Sequence, residues 1–368
     1  MLPRTARQAL ASSLLAPYAV PVGGRLGRIH PEPEDDTRFP FQRDRDRIIH
    51  TQAFRRLQGK TQVFVAGEGD HYRTRLTHTM EVTQIARDMA RTLGLNEDLA
   101  ECIALAHDLG HPPFGHAGEA MLDAWLRKHR RSFEHNRQSL RIVTILERHT
   151  AAYPGLNLQR EVLGGILKHG ERVPGMRFPT GFRSSIEAQV VDIADEIAYT
   201  AHDTEDGRKA GLFAVADMER LPIVRSAFAH ARHRGTSLRG ALIHLLVHDV
   251  YDHATRRLAK QIHASGDVTR LNRPVIRFSA EMRAMLSPLR RFLHQRLYFH
   301  PRVRAATTQG QAILRALCDE EYRAPSEKVL LLRESTGCPL AVAVADYVSG
   351  MTDAYAHQHA LSRGILPS

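Results

Sequence analysis

The chain has 368 residues, more than the roughly 250 to 300 that one hydrophobic core usually organises, so we expect one large domain with a smaller appendage, or two packed lobes. Hydrophobic residues make up 43% and charged residues 25%, which excludes a chain that is disordered throughout. The net charge of +11 favours polyanionic partners such as nucleotides or nucleic acids. The same excess would also keep a protein without such a partner in solution, so composition selects no function.

The cysteines and apolar stretches narrow the class of protein further. Cys102, Cys318 and Cys338 are widely separated, which argues against a disulfide framework or a zinc site of the CxxC type and favours a reducing compartment. No apolar run approaches the roughly 20 residues that span a bilayer. Pro17 and Pro21 interrupt the mildly apolar N-terminal stretch. We therefore predict a cytoplasmic protein without a secretory signal or a membrane partner.

The organisation along the chain predicts a helical protein. Residues 1–40 are rich in proline and glycine and lack periodicity, which predicts an extended N-terminal arm. We expect a core over residues 41–210 and a helical C-terminal region over residues 211–368 that packs on this core. No alternating strand pattern and no internal repeat is found, so the predicted fold class is all-α.

The first patterned helix follows Thr77. Its apolar positions recur at largely helical spacing, and they are Met80, Val82, Ile85, Met89 and Leu93. Gly94 stands where a C-terminal cap is expected. His78 lies one turn before Val82, so it is predicted to face the buried side.

The second patterned helix is predicted to begin after Asn96, a good N-cap residue. Gly110 and Pro112 end it, so His107 and Asp108 are expected in its last turn.

A third helix is predicted from Ser184, which forms a capping box with Glu187. Asp195, Tyr199 and Asp203 follow at steps of four residues and therefore lie on one face of this helix.

Four residues on these three helices have the composition of a metal site. Imidazole and carboxylate groups are common ligands of divalent cations, and ligands from separate helices can fix one cation while leaving positions open for water. The residues are His78, His107, Asp108 and Asp195. A single histidine carries little weight here, because the chain has 22.

The dipeptide His-Asp occurs three times, beginning at residues 107, 202 and 248, and only the surrounding sequence distinguishes these occurrences. Only the first lies in a context such as LAHDLGHPPFGHAGE, where glycine and proline force a sharp exit from the helix. His111, His116 and Glu119 follow it closely. This density of potential catalytic groups is hard to explain by structure alone.

The segments RTRLTHTMEVTQIAR, LAHDLGHPPFGHAGE, FEHNRQSLRI and EAQVVDIADEIAYTAHDTEDG, in this order, resemble the bacterial deoxyguanosine triphosphate triphosphohydrolase-like branch of the HD superfamily. PFQRDRDRIIHTQAFRRLQGKTQVF and VADYVSGMTDAYA extend the resemblance to nearly the whole chain. It implies a helical HD phosphohydrolase core and hydrolysis of deoxynucleoside triphosphates, dGTP or several of them, to the deoxynucleoside and inorganic triphosphate. It also implies a Mg²⁺ or Mn²⁺ cofactor, with Fe, Co, Ni or Zn as further options, a homo-oligomeric tetramer or hexamer, and single-stranded DNA as an effector.

The resemblance also implies roles for individual residues. The family's metal ligands fall on the four residues named above, and its catalytic pair falls on His116 and Glu119, which are close enough on a helix to touch. Its substrate-binding positions fall on Gln62, Arg75, His111, His135, Tyr199 and Asp203. Of these, Arg75 and the two histidines would bind phosphate, whereas the other three would contact the deoxyribose.

Several of these roles have a plainer alternative. His111 and His135 could be ordinary polar histidines. His116 and Glu119 could be a solvent-facing ion pair, and Arg75 and Asp203 could be ordinary surface charges. The whole chain could also be an HD phosphatase or phosphodiesterase acting on other nucleotides. A third hypothesis is a basic nucleotide-binding or nucleic-acid-binding protein that keeps the metal only as a structural clip.

Overall fold

The computed structural model describes residues 2–63, 73–167, 185–261 and 274–365. Within these residues the chain is almost entirely helical, and its only β-structure consists of two isolated bridges. This confirms the predicted fold class. The α-helices, α1 to α17 in chain order, are Arg4–Ser13, Pro40–Ile49, Gln52–Arg56, Arg75–Thr92, Glu97–Ala106, Gly115–Lys128, His135–Arg141, Arg160–Ile166, Ile186–Lys209, Val215–Met218, Pro222–Arg234, Leu238–Gln261, Ala280–Leu293, Pro301–Arg323, Glu327–Thr336, Leu340–Ser349 and Asp353–Ser362.

Spatial contacts divide the chain into two compact units, each assembled from three separate segments. Unit 1 contains Met1–Arg43, Met80–Ala104 and Gln159–His300, and unit 2 contains Asp44–Thr79, Leu105–Leu158 and Pro301–Ser368. The predicted domains, residues 1–40, 41–210 and 211–368, are continuous in sequence, whereas the two units are defined by spatial contacts. The predicted domain boundaries therefore stay a prediction. No helix among the described residues is long and apolar enough to cross a membrane.

The N-terminal segment differs from its prediction. Arg4–Ser13 form helix α1, although an extended arm is expected over residues 1–40. The reason is local, because this stretch contains several alanines and no proline or glycine, and the next helix-breaking residue after it is Pro17. None of the residues of α1 is buried.

Helix α4 ends in the predicted glycine cap. Gly94 has a φ of +66°, its N–H donates to the carbonyl of Arg91, and the N–H of Leu95 donates to the carbonyl of Ala90. This pairing is the Schellman arrangement that a residue in the left-handed region allows. His78 is buried as predicted.

Met80 does not belong to the apolar face of α4, which is a correction to the predicted pattern. Its exposed fraction is 52%, whereas Val82, Ile85 and Met89 are buried. At about 100° per residue, a position two residues from Val82 points to the opposite side of the helix.

Helices α5 and α9 begin close to the predicted positions. The Asn96 side chain accepts from the N–H of Leu99, which confirms it as the N-cap of α5. Helix α9 is capped by Ser185, whose hydroxyl accepts from the N–H of Ala188. The predicted cap, Ser184, lies outside the described residues. Glu187 is buried and accepts from the backbone N–H groups of Val20 and Asn96.

The core of unit 2 joins segments that are far apart in sequence. Helix α6 contributes Leu122 and Trp125, helix α14 contributes Leu314, and helix α16 contributes Val344 to one buried cluster. Gly310 permits close packing in this cluster. A Cβ at Gly310 would lie 2.4 Å from the ring of Phe114, so only glycine leaves room for this side chain.

Candidate active site

The backbone after helix α5 is held in a tight turn. The helix ends at Ala106, so His107 and Asp108 lie just beyond it and not in its last turn as predicted. The hydroxyl of Ser139 donates to the carbonyl of His107 at 2.9 Å and accepts from the N–H of Gly110 at 2.8 Å. A Cβ at Gly110 would lie 2.2 Å from the backbone nitrogen of Ser139. Glycine is therefore needed for helix α7 to approach the turn.

Three of the four predicted metal ligands lie in unit 2, and all three are buried. The rings of His78 and His107 have centroids 5.9 Å apart, and Nε2 of His107 lies 3.2 Å from Oδ1 of Asp108. This set of imidazole and carboxylate donors suits a divalent cation. Asp195 belongs to helix α9 of unit 1, so its place in the ligand set stays a prediction.

Arg75 is buried, with an exposed fraction of 2%, which makes the plain surface-arginine interpretation wrong. Its Nη1 donates to Oδ2 of Asp108 at 2.8 Å. Its Nε and Nη2 are buried and have no hydrogen-bond partner among the described residues, and the same is true of Oε1 of Gln62. Buried donors of this kind need a polar partner, and a guanidinium group matches the oxygen atoms of a phosphate.

A chain of four side chains extends from this carboxylate. Nε2 of His111 lies 3.4 Å from Oδ1 of Asp108, and the ring of His111 stacks on that of His135 with centroids 4.0 Å apart. Glu119 accepts from both the backbone N–H and Nδ1 of His135, at 2.9 and 2.8 Å. Its other oxygen lies 3.2 Å from Nδ1 of His116.

These contacts qualify the ion-pair alternative for His116 and Glu119. The His116 side chain is 79% exposed, but Glu119 is only 17% exposed and also holds His135. A simple surface pair would not share its carboxylate with a second, partly buried histidine. The partly buried carboxylate of Glu119 therefore holds the ring of His116, which remains exposed to solvent.

The electrostatics of the cluster keep its two carboxylates ionised. Burial opposes ionisation of Glu119, but the hydrogen bonds from His116 and His135 outweigh it and hold the pKa of Glu119 well below its usual range. Burial likewise opposes ionisation of Asp108, yet His107, His111 and Arg75 hold its pKa well below the ordinary value.

The pKa values of the neighbouring His111 and His135 shift in opposite directions. Burial, reinforced by the positive charge of Arg75, lowers the pKa of His111 well below the ordinary value, so this imidazole is neutral at pH 7. Burial also acts to lower the pKa of His135, but the hydrogen bond to Glu119 outweighs it and the pKa is raised.

Two buried residues that the sequence reasoning missed hold the loop carrying this cluster. Nζ of Lys60 donates to the carbonyls of His111 and Ser349, at 2.6 and 2.9 Å. The carboxylate of Asp353 accepts from the N–H of Phe114 at 3.0 Å, where φ is +59°. Both residues lie in the segments that carry the family resemblance, but no spacing rule connects them, because they are almost 300 residues apart.

Helix α9 in unit 1 carries the remaining predicted residues. Asp195 and Tyr199 are half-buried, whereas Asp203 has an exposed fraction of 3%, so the plain surface-acid interpretation is wrong. The hydroxyl of Tyr298 donates to Oδ2 of Asp203. Burial and the adjacent carboxylate raise the pKa of Tyr298. The sequence offered only a basic stretch around this tyrosine and no sign of the contact.

Several groups of side chains in unit 2 offer ligand atoms that lie within 4.8 Å of one another and could hold a metal ion. They are Asp108, His111 and His135; His111, His116 and Glu119; and Glu119, Glu134 and His135. The chemistry of these donors is compatible with a divalent cation and does not specify which one.

Comparisons with known proteins give two family matches and a set of similar full-length proteins. The HD domain family matches residues 75–200, and the phosphohydrolase-associated domain family matches residues 276–360. The deoxyguanosinetriphosphate triphosphohydrolase-like protein of Brucella canis is 44% identical over 93% of this chain and 93% of its own length. Proteins with the same name from Azorhizobium caulinodans and Parvibaculum lavamentivorans are 45% and 43% identical, over 91% and 94% of this chain and 92% and 95% of their own lengths.

The chain belongs to this triphosphohydrolase-like family. Membership confirms the resemblance that the sequence motifs indicate, and it makes the protein an HD-type phosphohydrolase. The HD match includes the turn at His107 and the cluster around Glu119. The associated-domain match includes Asp353, which holds the loop from the other end of the chain.

Proposed function

We propose that this phosphohydrolase hydrolyses deoxynucleoside triphosphates, dGTP or several of them, to the deoxynucleoside and inorganic triphosphate, with a divalent cation as cofactor. The names of its relatives support a nucleotide substrate. The observation that carries the proposal is the buried guanidinium of Arg75, which pairs with Asp108 through one nitrogen and leaves two buried nitrogens without a hydrogen-bond partner among the described residues. A triphosphate supplies the oxygen acceptors that these donors lack.

The proposed ligands of the cation are His78, His107, Asp108 and Asp195. When bound, a Mg²⁺ or Mn²⁺ ion supplies Lewis-acid polarisation of the α-phosphoryl oxygen and a more acidic water ligand. Fe, Co, Ni or Zn remain possible occupants, because the donors are of mixed type. The protein's own contribution is to keep the Asp108 carboxylate ionised beside Arg75.

In the proposed reaction a water oxygen bonds to the α-phosphorus and the bond from phosphorus to the 5′ oxygen breaks. The water loses a proton, and the 5′ oxygen of the departing deoxynucleoside gains one. His116 is the proposed group that exchanges these protons, because its ring is exposed and Glu119 holds it from the other side. The ionised carboxylate of Glu119 stabilises the positive ring that forms when His116 takes up a proton.

The remaining residues are proposed to bind the substrate. Arg75, His111 and His135 would contact phosphate oxygens, and the stacked arrangement of the two imidazoles supports a shared role. Gln62, Tyr199 and Asp203 would contact the deoxyribose, with Tyr199 stacking near the sugar and Asp203 accepting from the 3′ hydroxyl.

The test is an analysis of products. Purified protein with Mn²⁺ or Mg²⁺ is given each of the four deoxynucleoside triphosphates, and the phosphate products are separated by ion exchange. We expect deoxynucleoside and triphosphate in equal amounts, and no turnover by His107→Ala. Pyrophosphate or orthophosphate would favour the phosphatase or phosphodiesterase alternative. A protein that binds metal and nucleotide without any product would favour the binding-protein alternative.

We further propose a homo-oligomer, a tetramer or hexamer, with single-stranded DNA as an effector. The net charge of +11 supports a polyanionic partner. Molar mass in solution tests the assembly. Binding of a labelled single strand that weakens steeply with salt tests the effector, and binding that is absent at low salt would contradict it.

A further inference from the structure

Helices α11 and α12 of unit 1 carry five histidines that the proposed reaction does not use, and three of them form a cluster. The two helices are joined by a short connection that begins at Gly235, where φ is +64°. Such short connections place successive helices side by side. His230 lies on α11, and His244 and His248 lie on α12.

The three imidazoles are in direct contact. The rings of His230 and His244 stack with centroids 4.3 Å apart and an interplanar angle of 20°. The rings of His244 and His248 have centroids 4.0 Å apart. His248 is exposed, and the other two are partly exposed. None of the three makes a hydrogen bond or ion pair with any other described residue, so packing alone holds them.

The spacing of the two histidines on α12 is that of a metal chelate. Residues four apart lie on the same face of a helix, one turn above the other, and two histidines at this spacing are a recurrent bidentate ligand of zinc. His230 on the neighbouring helix offers a third imidazole, whose ring contacts that of His244. Neutral imidazole suits Zn²⁺, Ni²⁺ and Cu²⁺ more than Mg²⁺.

One neighbouring charge acts on this cluster. Arg234 is exposed at the end of α11 and adds a positive charge that opposes cation binding. The site should therefore bind a transition metal less tightly than the same histidines would without this arginine.

We propose that His244 and His248, joined by His230, form a site for a transition-metal cation such as Zn²⁺, made of residues different from the proposed catalytic set. A cation bound there ties α11 to α12. Because the folded hairpin presents these ligands together and the unfolded chain does not, bound metal raises the melting temperature. The proposal does not rest on the proposed function.

Calorimetric titration of the full-length protein with Zn²⁺, in the presence of saturating Mn²⁺, tests the site. We expect a Zn²⁺ binding event whose affinity falls at least about tenfold in His248→Ala and in His244→Ala, because each variant removes a ligand outright. His230→Ala should show a smaller loss. Arg234→Gln should bind Zn²⁺ more tightly than the parent protein.

His233→Ala is the matched control, because His233 is an exposed histidine of α11 with no ring contact to the cluster. It should keep the parent affinity and the parent increase in melting temperature. Circular dichroism and turnover with Mn²⁺ should be unchanged in His248→Ala, which excludes unfolding as the cause. The proposal is overturned if the double variant His244→Ala, His248→Ala binds the same number of Zn²⁺ ions with the parent affinity.

Discussion

Arg75 is the residue on which the proposed phosphate binding depends most. Its charge is paired with Asp108 inside the protein, and its fork presents further donors that have no partner among the described residues. Arg75→Lys keeps the charge but loses the fork, so kcat/KM for dGTP should fall about 100-fold, the usual effect of losing a donor to a developing charge.

Arg87→Lys is the control for this change, since Arg87 lies on the same helix and pairs with Glu97 and Glu101 instead. It should retain the parent kcat/KM. An Arg75→Lys protein with unchanged kcat/KM would exclude Arg75 from phosphate binding.

His116 and Glu119 are predicted to act as a pair. His116→Ala removes the proton-exchanging group, and kcat should fall by about 10² to 10⁴. Glu119→Gln should lower kcat as well, because a neutral amide no longer holds His116 and His135 as the carboxylate does. Steady-state kinetics measures both, with Asp123→Asn on the same helix as control. A fully active His116→Ala protein would show that another group moves the proton.

Lys60 predicts a pH dependence of stability. Burial, reinforced by the charges of Arg75 and Arg56, lowers the pKa of Lys60 from 10.5 to about 7. Between these pH values the unfolded chain binds more protons at this residue than the folded chain does. The free energy of unfolding should therefore gain a contribution as pH rises from about 7 toward 10.5.

Urea unfolding across this pH range measures the effect. In Lys60→Met the free energy of unfolding should rise less steeply with pH than in the parent protein, whatever the offset caused by leaving two carbonyls without a donor. Parallel curves for the two proteins would mean that Lys60 titrates normally.

At the scale of single residues, the sequence identified the side chains with proposed chemical roles but not the residues that hold those side chains in place. His78, His107 and Asp108 stand out because their types and contexts are unusual. Tyr298, by contrast, contacts Asp203 from almost 100 residues away, and no local pattern announces such a contact. The burial of Arg75 is hidden for the same reason.

At the scale of elements, the turn after α5 depends on Gly110. A Cβ there would overlap the backbone of α7, which cannot yield as a side chain can. Gly110→Ala should lower the free energy of unfolding by about 1 to 3 kcal/mol, as overpacking does. Activity should also fall, because the shift moves His107 and His135.

Gly23→Ala provides the comparison, since a Cβ at Gly23 would come no closer than 3.7 Å to another group. Urea unfolding and turnover of both variants decide the matter. Should Gly110→Ala match Gly23→Ala in both, the close approach would have no energetic consequence.

Element boundaries were predicted well where a cap has a local signature. Asn96 and Gly94 cap their helices as expected. Each cap depends on one residue, because Asn96 supplies a side-chain oxygen and Gly94 adopts the left-handed backbone conformation. Helix α1 was missed because the composition of the whole arm hid a short alanine-containing stretch. Met80 was wrongly assigned to the buried face because it was included for being apolar, without regard to its angular position around the helix.

At the scale of the whole molecule, each compact unit combines segments from three parts of the chain. In unit 2, Asp346 near the C-terminus accepts from Arg141 and from Gln138, beside the turn that carries the site. The helical class followed from the sequence pattern, but these long-range pairings could not, since periodicity reports only which face of a helix is buried. Family membership then supplies the reaction class that the fold alone does not determine.

The central claim is attack of water on the α-phosphorus of a deoxynucleoside triphosphate. Turnover of dGTP with Mn²⁺ in ¹⁸O-enriched water, followed by mass spectrometry of the products, tests it most directly. We predict that one heavy oxygen enters the triphosphate and none enters deoxyguanosine. Label in orthophosphate, pyrophosphate or a nucleoside monophosphate would contradict the claim.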